Sequence, residues 1–255
     1  MNISALAISA APAFIASGVE FVEATTIILA VGVTRGWRAP VYGTIAAAVT
    51  LAAVIGVFGA TLVTIVPEHA LKAFVGALLL LFGLRWLRKA ALRFAGIVAL
   101  HDEERIYLKQ VADLKAQGLR KTGFDRIGAA VAFKAVLLEG TEVAFIVIAF
   151  GAGGAAALNG AIVGAIAAGI VVIALGMSLR QPLTMVPENW MKFGVGAILS
   201  SFGVFWFAEG LGTTWPGDAL SIFVIIGLFL GASWVSVRML RTILPHGAEI
   251  EARNV

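Results

Sequence analysis

The sequence contains no cysteine among its 255 residues, and only 13% of the residues are charged. The missing cysteines exclude structural disulfides, thiolate metal sites and the dithiol relays of membrane electron carriers. The shortage of charge, beside 60% hydrophobic residues and a mean hydropathy of +0.97, excludes a soluble domain of ordinary composition. We therefore expect an all-α polytopic membrane protein, whose first partner is the lipid bilayer.

The basic residues are unevenly distributed, since ten of the 19 Lys and Arg lie between Arg85 and Arg126. A basic connection beside membrane spans sets the orientation of the chain, so it does not indicate nucleic acid as a partner. The N-terminus lacks the positive charge that begins a signal peptide, and we expect it to start the first span.

Seven apolar segments, separated by prolines, glycines and charged turns, are long enough to cross a bilayer. They cover residues 5–33, 40–66, 70–88, 127–152, 158–180, 190–209 and 218–239. This pattern predicts repeat one (1–88), a basic amphipathic cytoplasmic connection (89–126), repeat two (127–212), a seventh span (213–243) and a cytoplasmic tail (244–255).

The two predicted repeats have related sequences. Thr64–Trp86 aligns with Thr184–Trp206 at an offset of 120, with 12 of 23 positions identical. The aligned glycines, spaced seven apart in each copy, predict helix faces that allow close packing. Two pairs of glutamates are equivalent at an offset of 119: Glu20 with Glu139, and Glu23 with Glu142.

Each repeat has three spans, and because three is odd, the second copy enters the membrane from the opposite side as an inverted-topology repeat. With the N-terminus outside, the basic connections and the C-terminal tail are cytoplasmic. We expect an integral protein of a bacterial inner membrane in this orientation. Inverted-repeat transporters hold substrate near the bilayer midplane, at the depth predicted for Glu20 and Glu139.

The glutamate pairs lie inside apolar runs, where an ionised carboxylate costs a few kcal/mol or more. The i, i+3 spacing places both carboxylates of a pair on one helix face. Two facing pairs predict a metal site made of Glu20, Glu23, Glu139 and Glu142. Oxygen ligands suit Mn²⁺, Fe²⁺ and Ca²⁺, while the lack of a mid-span histidine argues against Zn²⁺. No resident cofactor is expected, because the divalent metal ion is the transported substrate.

Other polar residues are secondary candidates. Glu68 and Glu188 each follow a proline and are typical of helix starts, where an acid meets the positive end of the helix dipole. Hydroxyls near the glutamates are candidates for supporting hydrogen bonds: Ser17, Thr25, Thr26 and Thr141. Four residues of the outer connections are candidates for collecting cations at an entrance: Glu68, His69, Glu209 and Asp218.

Four clustered carboxylates repel one another, so some should carry protons when no ion is bound. Binding of a divalent cation would displace those protons, which makes exchange of metal for protons a natural hypothesis. Export of another cation or of a small organic solute on the same scaffold is the alternative. An intramembrane polyprenyl-pyrophosphate phosphatase is disfavoured, since no Arg or His accompanies either glutamate pair. A non-transporting scaffold also stays open.

This pattern of seven spans, two three-helix repeats and paired glutamates resembles the oxidase-coupled iron permeases, the iron-lead transporter family. That family lies near the lysine-exporter superfamily, which includes manganese and calcium exchangers. Leu138-Glu139-Gly-Thr-Glu142 is similar to the Arg-Glu-Gly-Leu-Glu of the permeases. The resemblance implies a permease rather than an enzyme, with Glu20, Glu23, Glu139 and Glu142 binding and translocating the metal.

The chain departs from the permease motif at one position in each repeat. Val19 and Leu138 stand where the permeases have an arginine immediately before the first glutamate. This departure argues against a ferroxidase partner and leaves a branch with a different cation open. Apolar helix faces are compatible with lipid contact or with a homo-oligomer.

Overall fold

In a computed structural model, the protein is built from α-helices; the structure describes residues 3–117, 124–151, 155–179 and 187–243. These residues form eight α-helices and one 3-10 turn, and contain no β-strand. The α-helices are α1 (Ile3–Arg35), α2 (Arg38–Ile65), α3 (Glu68–Phe94), α4 (Glu103–Ala116), α5 (Arg126–Gly151), α6 (Ala155–Leu179), α7 (Glu188–Gly210) and α8 (Ser221–Ile243), with the turn at Asp218–Leu220.

Six of the described helices are long and apolar enough to cross a membrane, which confirms the predicted all-α polytopic membrane protein. Their spanning segments are Ser9–Arg35, Arg38–Ile55, Glu68–Phe94, Ala155–Ser178, Glu188–Gly210 and Asp218–Ile243. Helix α5 is not among them, because Lys134, Glu139 and Glu142 place three charged side chains in every 18-residue stretch of it. The fourth predicted span, at 127–152, therefore stays a prediction.

The connection predicted at 89–126 is partly helical. Helix α3 continues to Phe94, beyond the predicted span end at residue 88, because its last turn includes the buried, ion-paired Arg93. Helix α4 begins after Asp102, whose side chain accepts a hydrogen bond from the Arg105 N–H at 3.1 Å and so satisfies a free donor of the first turn. Residues 118–123 and the tail at 244–255 lie outside the described residues.

The chain divides into two compact units. The first comprises Met1–Gly59 and Asp102–Val186, and the second comprises Ala60–His101 and Pro187–Val255. The first two helices of each predicted repeat (α1 and α2, α5 and α6) thus belong mainly to the first unit. The third helix of each, α3 or α7, belongs to the second unit together with α8. The repeat boundaries themselves stay a prediction.

In the second unit, α3 and α7 are antiparallel and pack through glycines. Each of these glycines lies so close to the facing helix that an added Cβ would meet its backbone. The predicted close-packing faces therefore meet each other. The pairs are Gly76 with Phe207, Gly83 with Ser200, Gly196 with Leu87 and Gly203 with Leu80. The 120-residue offset converts the first two pairs into the last two, so the contacts are reciprocal between the repeats.

The first unit has an equivalent reciprocity. Gly164 of α6 lies against the carbonyl oxygen of Ala10 in α1, and Gly43 of α2 lies against the carbonyl oxygen of Ala129 in α5. Ala10 and Ala129 are equivalent at the 119-residue offset of the glutamate pairs. The α1–α6 crossing is therefore repeated by the α5–α2 crossing, and α1 and α5 occupy equivalent places in this unit.

Candidate functional site: a cluster of buried glutamates

Helix α1 is closely covered by α6, and this packing determines the environment of its glutamates. A Cβ at Gly169 would lie 3.0 Å from the Phe21 ring, and one at Gly176 would lie 2.6 Å from Thr25 Cγ2. Glycine at these positions lets α6 approach α1 along much of its length. Glu20, on the covered part of α1, is 0% exposed to solvent. An acid is thus held in the interior of a membrane protein.

Helix α5 runs antiparallel to α1 and carries the second glutamate pair towards the first. At the end of α1 and just before the start of α5, Arg35 Nη1 lies 3.2 Å from Asp125 Oδ1. One turn further along α5, a Cβ at Gly128 would lie 3.0 Å from Val31 Cγ1. Residue numbers rise along α1 as they fall along α5, which places Glu139 opposite Glu20. The two equivalent glutamates of the repeats therefore face each other.

Three of the four predicted metal ligands come together. Glu20, Glu23 and Glu139 each offer a carboxylate oxygen, and these three oxygens lie within 4.8 Å of one another. Glu20 is fully buried, and Glu23 and Glu139 are partly buried. The i, i+3 spacing of α1 supplies two of the carboxylates, and the antiparallel crossing of α5 supplies the third. We call these three residues the glutamate cluster.

Glu142, the fourth predicted ligand, is not a member of the cluster. It is partly buried one turn beyond Glu139 on α5, and within the described residues its Oε2 is buried without a hydrogen-bond partner. A buried carboxylate oxygen without a partner is costly in a membrane protein. Glu142 is therefore an acceptor available beside the cluster rather than part of it.

The predicted supporting hydroxyls differ in their contacts. Thr26 Oγ1 donates to the Val22 carbonyl at 2.9 Å, and Thr141 Oγ1 donates to the Leu137 carbonyl at 2.7 Å, so both donors are used inside their own helices. Thr25 is buried where α1 meets α6. Ser17 is buried one turn before Glu20, and its Oγ has no hydrogen-bond partner in the described part of the chain. Of the four, Ser17 is placed best to support a carboxylate of the cluster.

The four entrance candidates all belong to the second unit. Lys72 Nζ lies 2.9 Å from a carboxylate oxygen of Glu68 and 3.4 Å from one of Glu209, so one lysine bridges both acids. His69 and Asp218 are exposed. The structure gives Glu68 and Glu209 a basic partner, which reduces their attraction for a free cation.

The second unit also contains a buried charge cluster that the sequence did not predict. Glu188 is 4% exposed, and its carboxylate lies 3.3 Å from Arg93 Nη1, 3.5 Å from Lys192 Nζ and 2.6 Å from His101 Nε2. Arg93 also donates to Asn189 Oδ1 at 2.8 Å. We call Glu188, Arg93, His101 and Lys192 the Glu188 cluster.

The hydrogen bonds of this cluster define the state of its histidine. Arg93 Nη2 lies 3.0 Å from His101 Nδ1, and because arginine only donates, Nδ1 accepts. Nε2 then carries the proton, 2.6 Å from a carboxylate oxygen of Glu188, and the imidazole is neutral. The sequence-based reading of Glu188 as a helix start is correct, but the burial depends on Arg93 and His101. The sequence around Glu188 contains no pattern that predicts Arg93 and His101 as its partners.

The chemistry of the glutamate cluster follows from its donors. Carboxylates separated by less than 5 Å bind a hard or borderline divalent cation well, and water or Glu142 could complete the shell. This arrangement can hold a divalent cation, and none of its three residues is an activated nucleophile.

Comparison with known proteins identifies the family. The family model described as ferrous iron uptake permease, iron-lead transporter, matches residues 8–238. No curated protein and no solved structure matches the chain. The family consists of permeases that transport metal ions rather than enzymes, which agrees with the sequence-based resemblance. Because the match extends over nearly all of the 255 residues, this integral membrane protein belongs to the ferrous iron uptake permease and iron-lead transporter family.

Proposed function

We propose that this protein imports a divalent transition-metal cation, Fe²⁺ first and Mn²⁺ second, through a site made of Glu20, Glu23 and Glu139. The observation that carries the proposal is the meeting of these three carboxylates on two antiparallel helices. The family description favours iron and uptake. The protein acts as a permease, so the bound metal is its substrate and no other cofactor takes part.

Electrostatics favours a cation in the glutamate cluster. Two unit charges 4.8 Å apart in a medium of effective dielectric constant about 20 repel by about 3.5 kcal/mol. Three ionised carboxylates form three such pairs. A divalent cation replaces this repulsion by attraction to each oxygen, while protons relieve it only by removing charge. The cluster is therefore more stable when it is loaded with metal or with protons than when it is empty and ionised.

The donor set is compatible with several metals. All three ligands are carboxylate oxygens, which suit Fe²⁺, Mn²⁺ and Ca²⁺ and disfavour Cu⁺. Val19 and Leu138 replace the arginine that precedes the first glutamate in the permeases, so the cluster lacks that cation beside it. For this reason Mn²⁺ stays the second substrate, and a ferroxidase partner is not part of the proposal.

The reciprocal helix contacts support an inverted-topology repeat. Helices α3 and α7 are antiparallel and equivalent, as are α1 and α5. A two-fold axis that relates antiparallel helices is perpendicular to them, and for membrane spans it lies in the plane of the bilayer. We propose that α5 also spans the membrane, as the fourth of seven spans, that the N-terminus is outside and that the C-terminus is cytoplasmic in a bacterial inner membrane.

This symmetry assigns a role to Glu142. The glutamate cluster takes two ligands from α1 and one from α5, although the repeats offer two each. Exchange of the conformations of the two repeats would give the complementary cluster of Glu139, Glu142 and Glu20, with Glu23 released. Inverted-repeat transporters alternate between such states around a fixed midplane site. Glu20 and Glu139 hold the ion in both states, and Glu23 and Glu142 alternate.

Exchange for protons follows from the same alternation. The glutamate released from the ion loses its metal partner, and we propose that a proton takes the place of the metal there. Each cycle therefore couples metal movement to proton binding at Glu23 or Glu142. Metal flux that is independent of the pH on both sides of the membrane would contradict this coupling.

The decisive experiment measures metal flux into proteoliposomes for Fe²⁺, Mn²⁺, Ca²⁺, Co²⁺ and Zn²⁺. The wild-type protein is compared with Glu20→Gln, and with the Glu23→Gln and Glu142→Gln double variant. The matched control is Glu104→Gln, the same chemical change at an exposed acid of α4. We expect flux of Fe²⁺ or Mn²⁺ that both cluster variants abolish and the control retains.

Two outcomes would contradict the proposal. Flux that survives both cluster variants would remove the glutamates from the path, and an absence of flux for every metal would remove metal transport. Export of another cation or of an organic solute on this scaffold would then be tested next, with the same variants.

A further inference from the structure

A polar cavity of about 640 Å³ lies in the first unit where α1 passes into α2. It is separate from the glutamate cluster. Its described lining combines two arginines, one acid and three aromatic rings: Arg35, Arg38, Asp125, Trp37, Tyr42 and Phe124, with Gly36 and Ala39 between them. Arginine, tryptophan and tyrosine together are typical of the level of the lipid headgroups.

An apolar cavity of about 730 Å³ continues from the polar one between α2 and α5. Tyr42 and Phe124 line both cavities, and their rings meet edge to face at 5.7 Å. The remaining lining is small or aromatic: Gly43, Ala46, Ala129, Ala130 and Phe133. Since these residues lie about one to two turns beyond Arg38 and Asp125 along the chain, the lining changes from polar to apolar along α2 and α5.

The charges of the polar cavity leave one cation available. Arg35 is 2% exposed at its side chain and is fixed by Asp125 and by the Leu114 carbonyl, to which Nη2 donates at 3.0 Å. Arg35 Nε is buried with no hydrogen-bond partner among the described residues. Arg38 is exposed and makes no ion pair within them. Two arginines against one carboxylate give a net charge of +1, which complements an anion.

We infer that these adjoining cavities bind one anionic phospholipid, with its phosphate at Arg38 and an acyl chain in the groove along α2 and α5. A free anion would need only the polar cavity, and a neutral lipid would need only the apolar one. The continuity of the two cavities through Tyr42 and Phe124 fits a molecule with a charged head and an apolar tail. In the proposed orientation this lipid belongs to the cytoplasmic leaflet; the site itself does not depend on the transported substrate.

The test is native mass spectrometry of the delipidated full-length protein, titrated with dioleoylphosphatidylglycerol, dioleoylphosphatidylcholine or inorganic phosphate. Arg38→Gln removes the available charge, and Ala46→Trp fills the apolar cavity. Arg85→Gln, at an exposed arginine of α3, and Ala48→Trp, at an exposed alanine about 200° around α2 from Ala46, are the matched controls.

We expect the wild-type protein to bind phosphatidylglycerol more tightly than phosphatidylcholine. Arg38→Gln should weaken phosphatidylglycerol binding about fivefold, since one basic residue near an anionic lipid surface is worth about 1 kcal/mol, and should leave phosphatidylcholine unchanged. Ala46→Trp should weaken both lipids, and neither control should weaken either lipid.

Equal binding of the two lipids by the wild-type protein would overturn the inference without any variant. An equal loss in Arg85→Gln would also overturn it, because the effect would be one of general surface charge. Binding of phosphate that depends on Arg38 but not on the Ala46 cavity would establish a free-anion site instead. All readouts are lipid affinities, so they are independent of metal flux.

Discussion

Replacement of Glu20 by glutamine separates a metal site from a structural one, because the two roles predict opposite changes in stability. Glu20 is fully buried, and its oxygen lies within 4.8 Å of those of Glu23 and Glu139. Glutamine has nearly the same shape and keeps a carbonyl oxygen, but it carries no charge. The substitution therefore changes electrostatics far more than packing.

The magnitude follows from the geometry. Glu20 takes part in two of the three carboxylate pairs, and each pair repels by about 3.5 kcal/mol when it is ionised at an effective dielectric constant of about 20. Proton binding at the metal-free site relieves much of this repulsion. We therefore expect the metal-free variant to gain about 1 to 3 kcal/mol of stability over the metal-free wild type.

Metal should reduce this difference. A ligand at a hundred times its dissociation constant stabilises the folded state by about 2.7 kcal/mol. The wild-type protein should therefore gain about that much in saturating Mn²⁺, a metal that stays divalent in air. The variant has lost one of three anionic ligands, and we expect most of its metal-dependent gain to disappear.

The assay is thermal unfolding of the purified protein in detergent, with chelator or with Mn²⁺, for the wild type, Glu20→Gln and the exposed control Glu104→Gln. The expected pattern is a higher midpoint for the variant in chelator and a smaller shift with Mn²⁺. A variant that is less stable than the wild type in chelator would refute the reasoning, because Glu20 would then contribute structural interactions that exceed the repulsion.

Two further predictions concern the second unit. Gly83→Ala should destabilise the protein by about 1 to 3 kcal/mol, because the added methyl group forces α3 away from α7. Gly194→Ala, at a site with open space, should not destabilise it. Thermal unfolding of both variants in detergent tests this, and equal unfolding midpoints would contradict the close packing. Glu188→Gln should lower the stability of the folded protein by about 3 to 5 kcal/mol, because it removes the anion of the Glu188 cluster that is paired with buried Arg93. The equivalent Glu68→Gln, at an exposed side chain, should have little effect. A similar yield of folded protein for both variants would show that Arg93 finds another partner.

The sequence predicted the elements whose signal is local. Apolar runs of sufficient length located the helices, and the repeated glycines marked the faces of α3 and α7 that pack closely. The end of α3 was placed six residues early, at 88, since the sequence shows a run of basic residues there. Arg93 continues the helix into the interior because its charge is paired with Glu188, about a hundred residues away. A long-range ion pair of this kind has no signature near either residue.

The candidate site was predicted in type but not in composition. The i, i+3 spacing and the repeat indicated two facing pairs, and the structure brings together Glu20, Glu23 and Glu139. A repeat in sequence predicts symmetric ligands, whereas one conformation of an antiparallel helix pair can be asymmetric. Which glutamate lies outside the cluster depends on the relative displacement of α1 and α5, and the spacing within each helix contains no information on it.

The sequence-based predictions were accurate where the two repeats contact each other through equivalent residues, and they failed where a contact occurs in one repeat only. Glu20 and Glu139 are equivalent residues that face each other, so each repeat supplies the environment of the other and the sequence contains both halves of the contact. Glu68 and Glu188 are equivalent as well, and each has the lysine four residues later as a partner. Only Glu188 meets Arg93 and His101, which come from the end of α3 and from a connection that occurs once in the chain. The two Val-Pro-Glu turns have the same sequence, but the contacts with Arg93 and His101, which have no counterpart in the other repeat, leave Glu188 buried and Glu68 exposed.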